Sequence, residues 1–242
     1  MTPTMDAAAG PAATPALSAH ALHRTFGSGP TAVPALRGVD LSVAPGELLV
    51  VGGASGSGKT TLLTILGGLD RPTSGTVLLG DRDLTALGEE EVVALRGERI
   101  GYVFQSFGLI PMLSAAENVE IPLRLRRLPG EERDRRVAAA LDAVGLGEHA
   151  RQRPDELSGG QQQRVGIARA LVAEPSVLLA DEPTGQLDSA TGSRIMDLLV
   201  ALARDRGVAT VITTHDPELM RRADRVVHLA DGAISSEPVA RG

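Results

Sequence analysis

Glu47-Leu-Leu-Val-Val-Gly52 runs directly into Gly53-Ala-Ser-Gly-Ser-Gly58-Lys59-Thr60, and a helical stretch follows to about Leu69. The apolar run ELLVVG is continuous, the pattern of a strand buried on both faces. The eight residues after it fit G-x-x-x-x-G-K-[ST], in the strand–loop–helix setting that gives this motif its meaning. Glycines let successive backbone N–H groups curl around phosphate oxygens, and the helix N-terminus adds its positive end. Lys59 is suited to β- and γ-phosphates, and the Thr60 hydroxyl to Mg²⁺. This stretch predicts an α/β nucleotide-binding fold.

Composition supports one large domain. The chain has 242 residues, 43% hydrophobic and 22% charged, which is ordinary globular usage. A formal net charge of −6 argues against nucleic acid as a partner. The absence of cysteine excludes disulfides, iron–sulfur clusters and thiolate nucleophiles. Lys59 is the single lysine, against 23 arginines. A generic surface charge is therefore carried by arginine here, and the one lysine marks a place that needs a compact ammonium. No apolar run approaches the ~20 residues of a spanning helix, so no direct membrane insertion is expected.

Strands and helices alternate from about Ala21 onward. Residues 1–19, rich in Ala, Pro and Thr, read as a disordered leader, with a single domain over 20–242. Further strands are predicted at Thr76–Leu79, Ile100–Phe104, Val177–Ala180 and Val208–Thr213, with a helix over about 190–204. Arg225–Ile234 reads as two short strands turning at Asp231-Gly232. Ser114 with Glu117, and Ser158 with Gln161, are capping boxes that open helices. Residues from about 106 to 157 form a helical insert, including a helix over 131–144.

Two further motifs carry chemistry. Val177-Leu-Leu-Ala-Asp181-Glu182 ends a buried strand in two carboxylates that alternation points apart. Beside a phosphate loop, Asp181 suits Mg²⁺, and Glu182 suits the orientation or deprotonation of an attacking water. Leu157-Ser158-Gly159-Gly160-Gln161-Gln162-Gln163-Arg164 opens a helix with two glycines in its first turn. Each is unfavourable there by up to about 1 kcal/mol, and close approach to a phosphate would explain them. Two phosphate cradles and one phosphate loop suggest a site shared between two copies.

The chain resembles the nucleotide-binding subunit of an ABC transporter, and LSGGQQQR is similar to that family's signature. The resemblance runs from about Ala21 to the C-terminus. It implies an ABC-type P-loop ATPase core of mixed sheet and flanking helices, plus a helical subdomain. It implies that Gly53, Ala54, Ser55, Gly56, Ser57, Gly58, Lys59, Thr60 and Thr61 hold ATP. Ser158, Gly159, Gly160 and Gln161 would hold ATP bound to the partner copy. Gln105, in Tyr102-Val-Phe-Gln105, resembles the Q-loop glutamine at Mg²⁺, and Thr60 and Asp181 complete the metal set. Gly185-Gln-Leu-Asp188 resembles the D-loop, and His215 the switch histidine near the γ-phosphate. Phe26 sits where the family stacks an aromatic on adenine.

The family further implies a head-to-tail homodimer and a transmembrane permease on a separate chain. It places the protein peripherally on the cytoplasmic side of the membrane, with residues around 105–119 facing the permease. Leu66-Gly-Gly-Leu-Asp70-Arg-Pro-Thr-Ser-Gly75, Gln105–Pro111, Ala116–Val119 and Ala180–Gly185 resemble the branch of macrolide exporters and lipoprotein-releasing complexes. That branch favours export or force transmission. Phe26 replaces a common Tyr, Ala54 a common Pro, and Gln186 a common Asn. Two alternatives stay open: a regulatory ABC ATPase acting through a membrane partner, and a soluble ABC ATPase.

Overall fold

The computed structural model describes residues 14–235. The chain opens with β1 (Leu17–Phe26), which hairpins through a short 3-10 turn into β2 (Val33–Val43). The buried strand follows as β3 (Leu48–Gly52), then the phosphate loop and α1 (Lys59–Leu66). Next come β4 (Ser74–Leu79), the two-residue β5 (Arg82–Asp83), α2 (Glu89–Arg99) and β6 (Ile100–Val103). Residues 106–157 contribute α3 (Ala115–Leu125), α4 (Gly130–Ala143), two 3-10 turns and no strand. The chain then returns to alternation with α5 (Gly159–Leu171), β7 (Val177–Asp181), α6 (Ser189–Asp205) and β8 (Ala209–Thr214). It closes with α7 (Pro217–Arg221), β9 (Arg225–Ala230) and β10 (Ala233–Ser235).

Two sheets result. The larger has strand order β10-β9-β3-β8-β7-β6, parallel except for the β10 edge. The smaller is antiparallel, in the order β2-β1-β4-β5. The central strands are apolar on both faces because both faces are covered. Leu49 and Val51 of β3 join a core with α1 and the antiparallel sheet. Leu48 and Val50 face the other way, into a core shared with α3, α4, α5 and α6. The phosphate loop lies at the C-terminal end of β3, where open parallel sheets place ligands.

The start of the ordered domain differs from the sequence expectation. Leu17, Ser18 and Ala19 were expected in a disordered leader but are buried residues of β1. Leu17 pairs with Val43 and Leu79 on either side, so two flanking strands recruit a stretch whose composition alone looks featureless. The rest of the expected leader that lies in residues 1–13 falls outside the described residues. Both capping boxes form as read. Ser114 accepts a hydrogen bond from the Glu117 N–H at 3.2 Å, and Ser158 accepts from the Gln161 N–H at 3.3 Å.

Candidate active site

The site is built at the tip of β3. Gly53 has φ of 152°, and a Cβ there would lie 2.3 Å from the carbonyl oxygen of Leu229. Only glycine fits between the loop and β9. We expect Gly53→Ala to lower the unfolding free energy by about 2 kcal/mol in chemical denaturation, because strain and overlap combine. The turn joining β9 and β10 buttresses the same loop, since the Gly232 N–H donates to the Ser57 carbonyl at 3.1 Å.

Lys59 is 5% exposed and its ammonium has three directions in use. It donates to the carbonyl oxygens of Gly53 at 2.8 Å and Ala54 at 3.0 Å. Glu182 Oε1 lies in the third direction at 3.5 Å. A tetrahedral ammonium fits this arrangement, which accounts for a lysine in a chain that otherwise uses arginine.

Glu182 follows the last residue of β7 and has φ of 41°. Its N–H is held by Thr213, through the carbonyl and the Oγ1, each at 3.1 Å. That places its carboxylate between the Lys59 ammonium and the His215 ring. Oε1 faces Lys59, and Oε2 lies 3.5 Å from His215 Nδ1. Asp181, one residue earlier, turns inward and accepts from Thr213 Oγ1 at 2.6 Å. The two carboxylates point apart as expected, but Glu182 lies past the strand at positive φ, so the turn and not strand alternation separates them. Burial and the negative charge of Asp181 push the Tyr102 phenol well above its ordinary range, so Tyr102 stays neutral beside the site.

A cavity of about 450 Å³ gathers Ser55, Gly56, Gly58, Lys59, Thr60 and Thr61 with Gln105 and Glu182. Gln105 lies two residues past the end of β6, and a Cβ on Gly185 would lie 3.1 Å from its Nε2. Glu182 also borders a second cavity of about 690 Å³ with Gly185, Asp188 and His215. Thr60 and Gln105 are exposed, and Asp181 is 8% exposed. Among the described residues no three His, Cys, Asp or Glu side chains form a metal cage. Thr60 and Gln105 line the phosphate cavity, whereas Asp181 lines neither cavity; a hydroxyl, an amide and a carboxylate are oxygen donors of the kind that suits Mg²⁺ together with phosphates and water.

Other predicted residues lie elsewhere. Ser158, Gly159, Gly160 and Gln161 line neither of these cavities. They form the N-cap and the half-buried first turn of α5, beside the Leu187 and Thr191 side chains. Phe26 stands outside the cavity wall but pairs across the strand ladder with Val33, which lines it. Sequence reasoning missed Arg37, Asp231 and Gly232, which also line the cavity. The Asp231-Gly232 turn was legible, but nothing local shows that it packs on the phosphate loop.

The family model described as ABC transporter matches residues 36–185. The chain belongs to the ABC transporter family. The fold expected from the sequence is that of the ATP-binding cassettes of this family. The chain is 48% identical over 225 residues to the pyoverdine export ATP-binding/permease protein PvdT of Pseudomonas savastanoi, covering 93% of this chain and 34% of that protein. It is 46% identical over 223 residues to the macrolide export ATP-binding/permease protein MacB of Syntrophobacter fumaroxidans, covering 91% and 31%. The cassette thus spans about a third of the length of these curated relatives. Among solved structures it resembles the dimeric post-hydrolysis state of the ATP-binding cassette MJ0796 bound to ADP and Pi. The TM-score is 0.85 at 41% identity, with 93% of this chain and all of that one covered.

Proposed function

We propose that the cassette binds and hydrolyses ATP as a head-to-tail homodimer and drives a transmembrane permease of export or force-transmitting type. The observation that carries this is a division of parts. One cavity unites Lys59, Thr60, Gln105 and Glu182, while the Ser158–Gln161 helix start lies outside it. A second copy facing the first supplies that missing helix start to the γ-phosphate. The dimeric form of MJ0796 supports this arrangement for a cassette whose whole length matches 93% of this chain.

In this reading the loop from Gly53 to Thr61 cradles the phosphates, and Phe26 stacks on adenine. A γ-phosphate entering the cavity takes the Lys59 donor that now faces Glu182. Thr60, Gln105 and Asp181 would hold Mg²⁺, whose charge offsets that developing on the β- and γ-oxygens. Glu182 accepts a proton from the attacking water, and His215 sits on the far side of that carboxylate. Binding closes the pair, and hydrolysis opens it by adding charge between the halves.

The permease is read as a separate chain and the cassette as peripheral on the cytoplasmic side of the membrane. Among the described residues, no helix is long and apolar enough to cross a membrane. Ile110, Met112 and Leu125 are exposed around the Gln105 loop and the end of α3, a surface suited to an apolar partner helix. The names of PvdT and MacB join ATP-binding and permease in one protein. Gentle extraction of the tagged protein, followed by mass spectrometry, tests the partner. A co-purifying chain with spanning helices is the expected result. Recovery of the cassette with no membrane protein would overturn the transport reading.

A further inference from the structure

Phe26 is 42% exposed, and a cation lies over one of its faces. The Arg24 guanidinium carbon is 4.4 Å from the ring centroid. That guanidinium is itself held in plane by Asp70. Arg24 Nε donates to Oδ2 at 2.9 Å and Nη2 to Oδ1 at 3.0 Å, a bidentate pair. Asp70 is fixed in turn, because its Oδ1 also accepts from the Arg71 N–H at 2.8 Å. Two further bonds tie the same turn to the end of β1. The Thr25 N–H donates to Thr73 Oγ1 at 3.0 Å, and the Thr73 N–H donates to the His23 carbonyl at 2.8 Å. The Asp70-Arg-Pro-Thr73 turn is therefore a bracket on the strand that carries Phe26, although it lines no part of the phosphate cavity.

A phenyl ring in solvent samples many orientations, and a base that stacks on it must first fix it. A planar guanidinium lying over one face removes that freedom in advance and is attracted to the ring. It also blocks one face. We propose that Arg24, locked by Asp70, is the positioning residue of the adenine platform: it covers one face of Phe26 and leaves the other for the purine. This rests on the reading of Phe26 as that platform. Arg24 does not touch the nucleotide in this scheme and acts through the ring.

The test compares Mg-ATP with inorganic tripolyphosphate, which has no base, in titrations of the full chain. Arg24→Gln is expected to weaken ATP binding about fivefold, the scale of a lost cation–π contact. Tripolyphosphate binding should stay unchanged. Steady-state assays should show a raised KM for ATP with kcat retained. Asp70→Asn keeps the shape but releases the guanidinium, and it carries the test if Arg24→Gln melts early. The Arg24→Gln/Asp70→Asn double variant should be no weaker than Arg24→Gln alone. Phe26→Ala separates the two readings. If Phe26→Ala weakens ATP binding and Arg24→Gln and Asp70→Asn do not, or tighten it, the role of Arg24 is overturned while the platform stands. If Phe26→Ala has no effect on ATP, platform and proposal fall together. Equal weakening of tripolyphosphate by Arg24→Gln would place Arg24 in the phosphate loop's service and would also overturn it.

Discussion

Glu182→Gln is expected to reduce ATP turnover by about 10² to 10⁴-fold, the usual contribution of a general base, while ATP still binds. The substitution keeps the length and one acceptor oxygen of the side chain. It removes the basic carboxylate that lies 3.5 Å from both Lys59 and His215. The phosphate loop is untouched, because Lys59 keeps its bonds to the Gly53 and Ala54 carbonyls. With chemistry blocked and binding intact, the two copies should remain closed on ATP. Size-exclusion chromatography with ATP and Mg²⁺ should then show a stable dimer that wild type forms only transiently. A variant that turns over at the wild-type rate would sink the assignment of Glu182 as the base. A variant that no longer binds ATP would show that the carboxylate serves mainly to hold Lys59 in place.

The two halves of this site differ in how far the sequence reveals them. The phosphate loop is local. A buried strand, a glycine loop and a helix lie within about twenty residues of one another, and each has its own periodic or turn signal. The capping boxes at Ser114 and Ser158 are legible for the same reason, being closed within four residues. The hairpin at Asp231-Gly232 is also local, and β9 and β10 form where expected. The meeting of Glu182, Gln105 and His215 is not local. It follows from the strand order of the larger sheet, in which β7 lies between β8 and β6. Only the ordered motifs of the family connect these residues before the fold is known.

The antiparallel sheet was the least legible part. β1 pairs with β2 through register shifts near Ala19 and Leu22, and Ala21 has φ of 44°. These irregularities break the alternation that would announce a strand. β5 is only two residues long. In α2 only Val92 of eleven residues is buried, so little apolar periodicity marks it. Residues 17–19 look featureless in the sequence because their burial depends on strands β2 and β4, distant in sequence.

Lys59→Ala should weaken Mg-ATP binding about 100-fold, because an ammonium directed at phosphate makes charge-assisted bonds stronger than neutral ones. Titration with a fluorescent ATP analogue measures it. The more searching variant is Lys59→Arg, which keeps the charge. At 5% exposure, with two carbonyls at 2.8 and 3.0 Å and a carboxylate at 3.5 Å, there is no room for a longer planar fork. A guanidinium also spreads its donors in one plane and does not match three partners set around a tetrahedral nitrogen. Lys59→Arg is therefore expected to lose most of the affinity that Lys59→Ala loses, despite the retained charge. Circular dichroism would check that both variants keep the fold, since Leu62, Leu63 and Leu66 anchor α1 independently of the lysine. Wild-type affinity in Lys59→Arg would mean that charge alone matters at this position. The single lysine among 23 arginines would then carry no structural message.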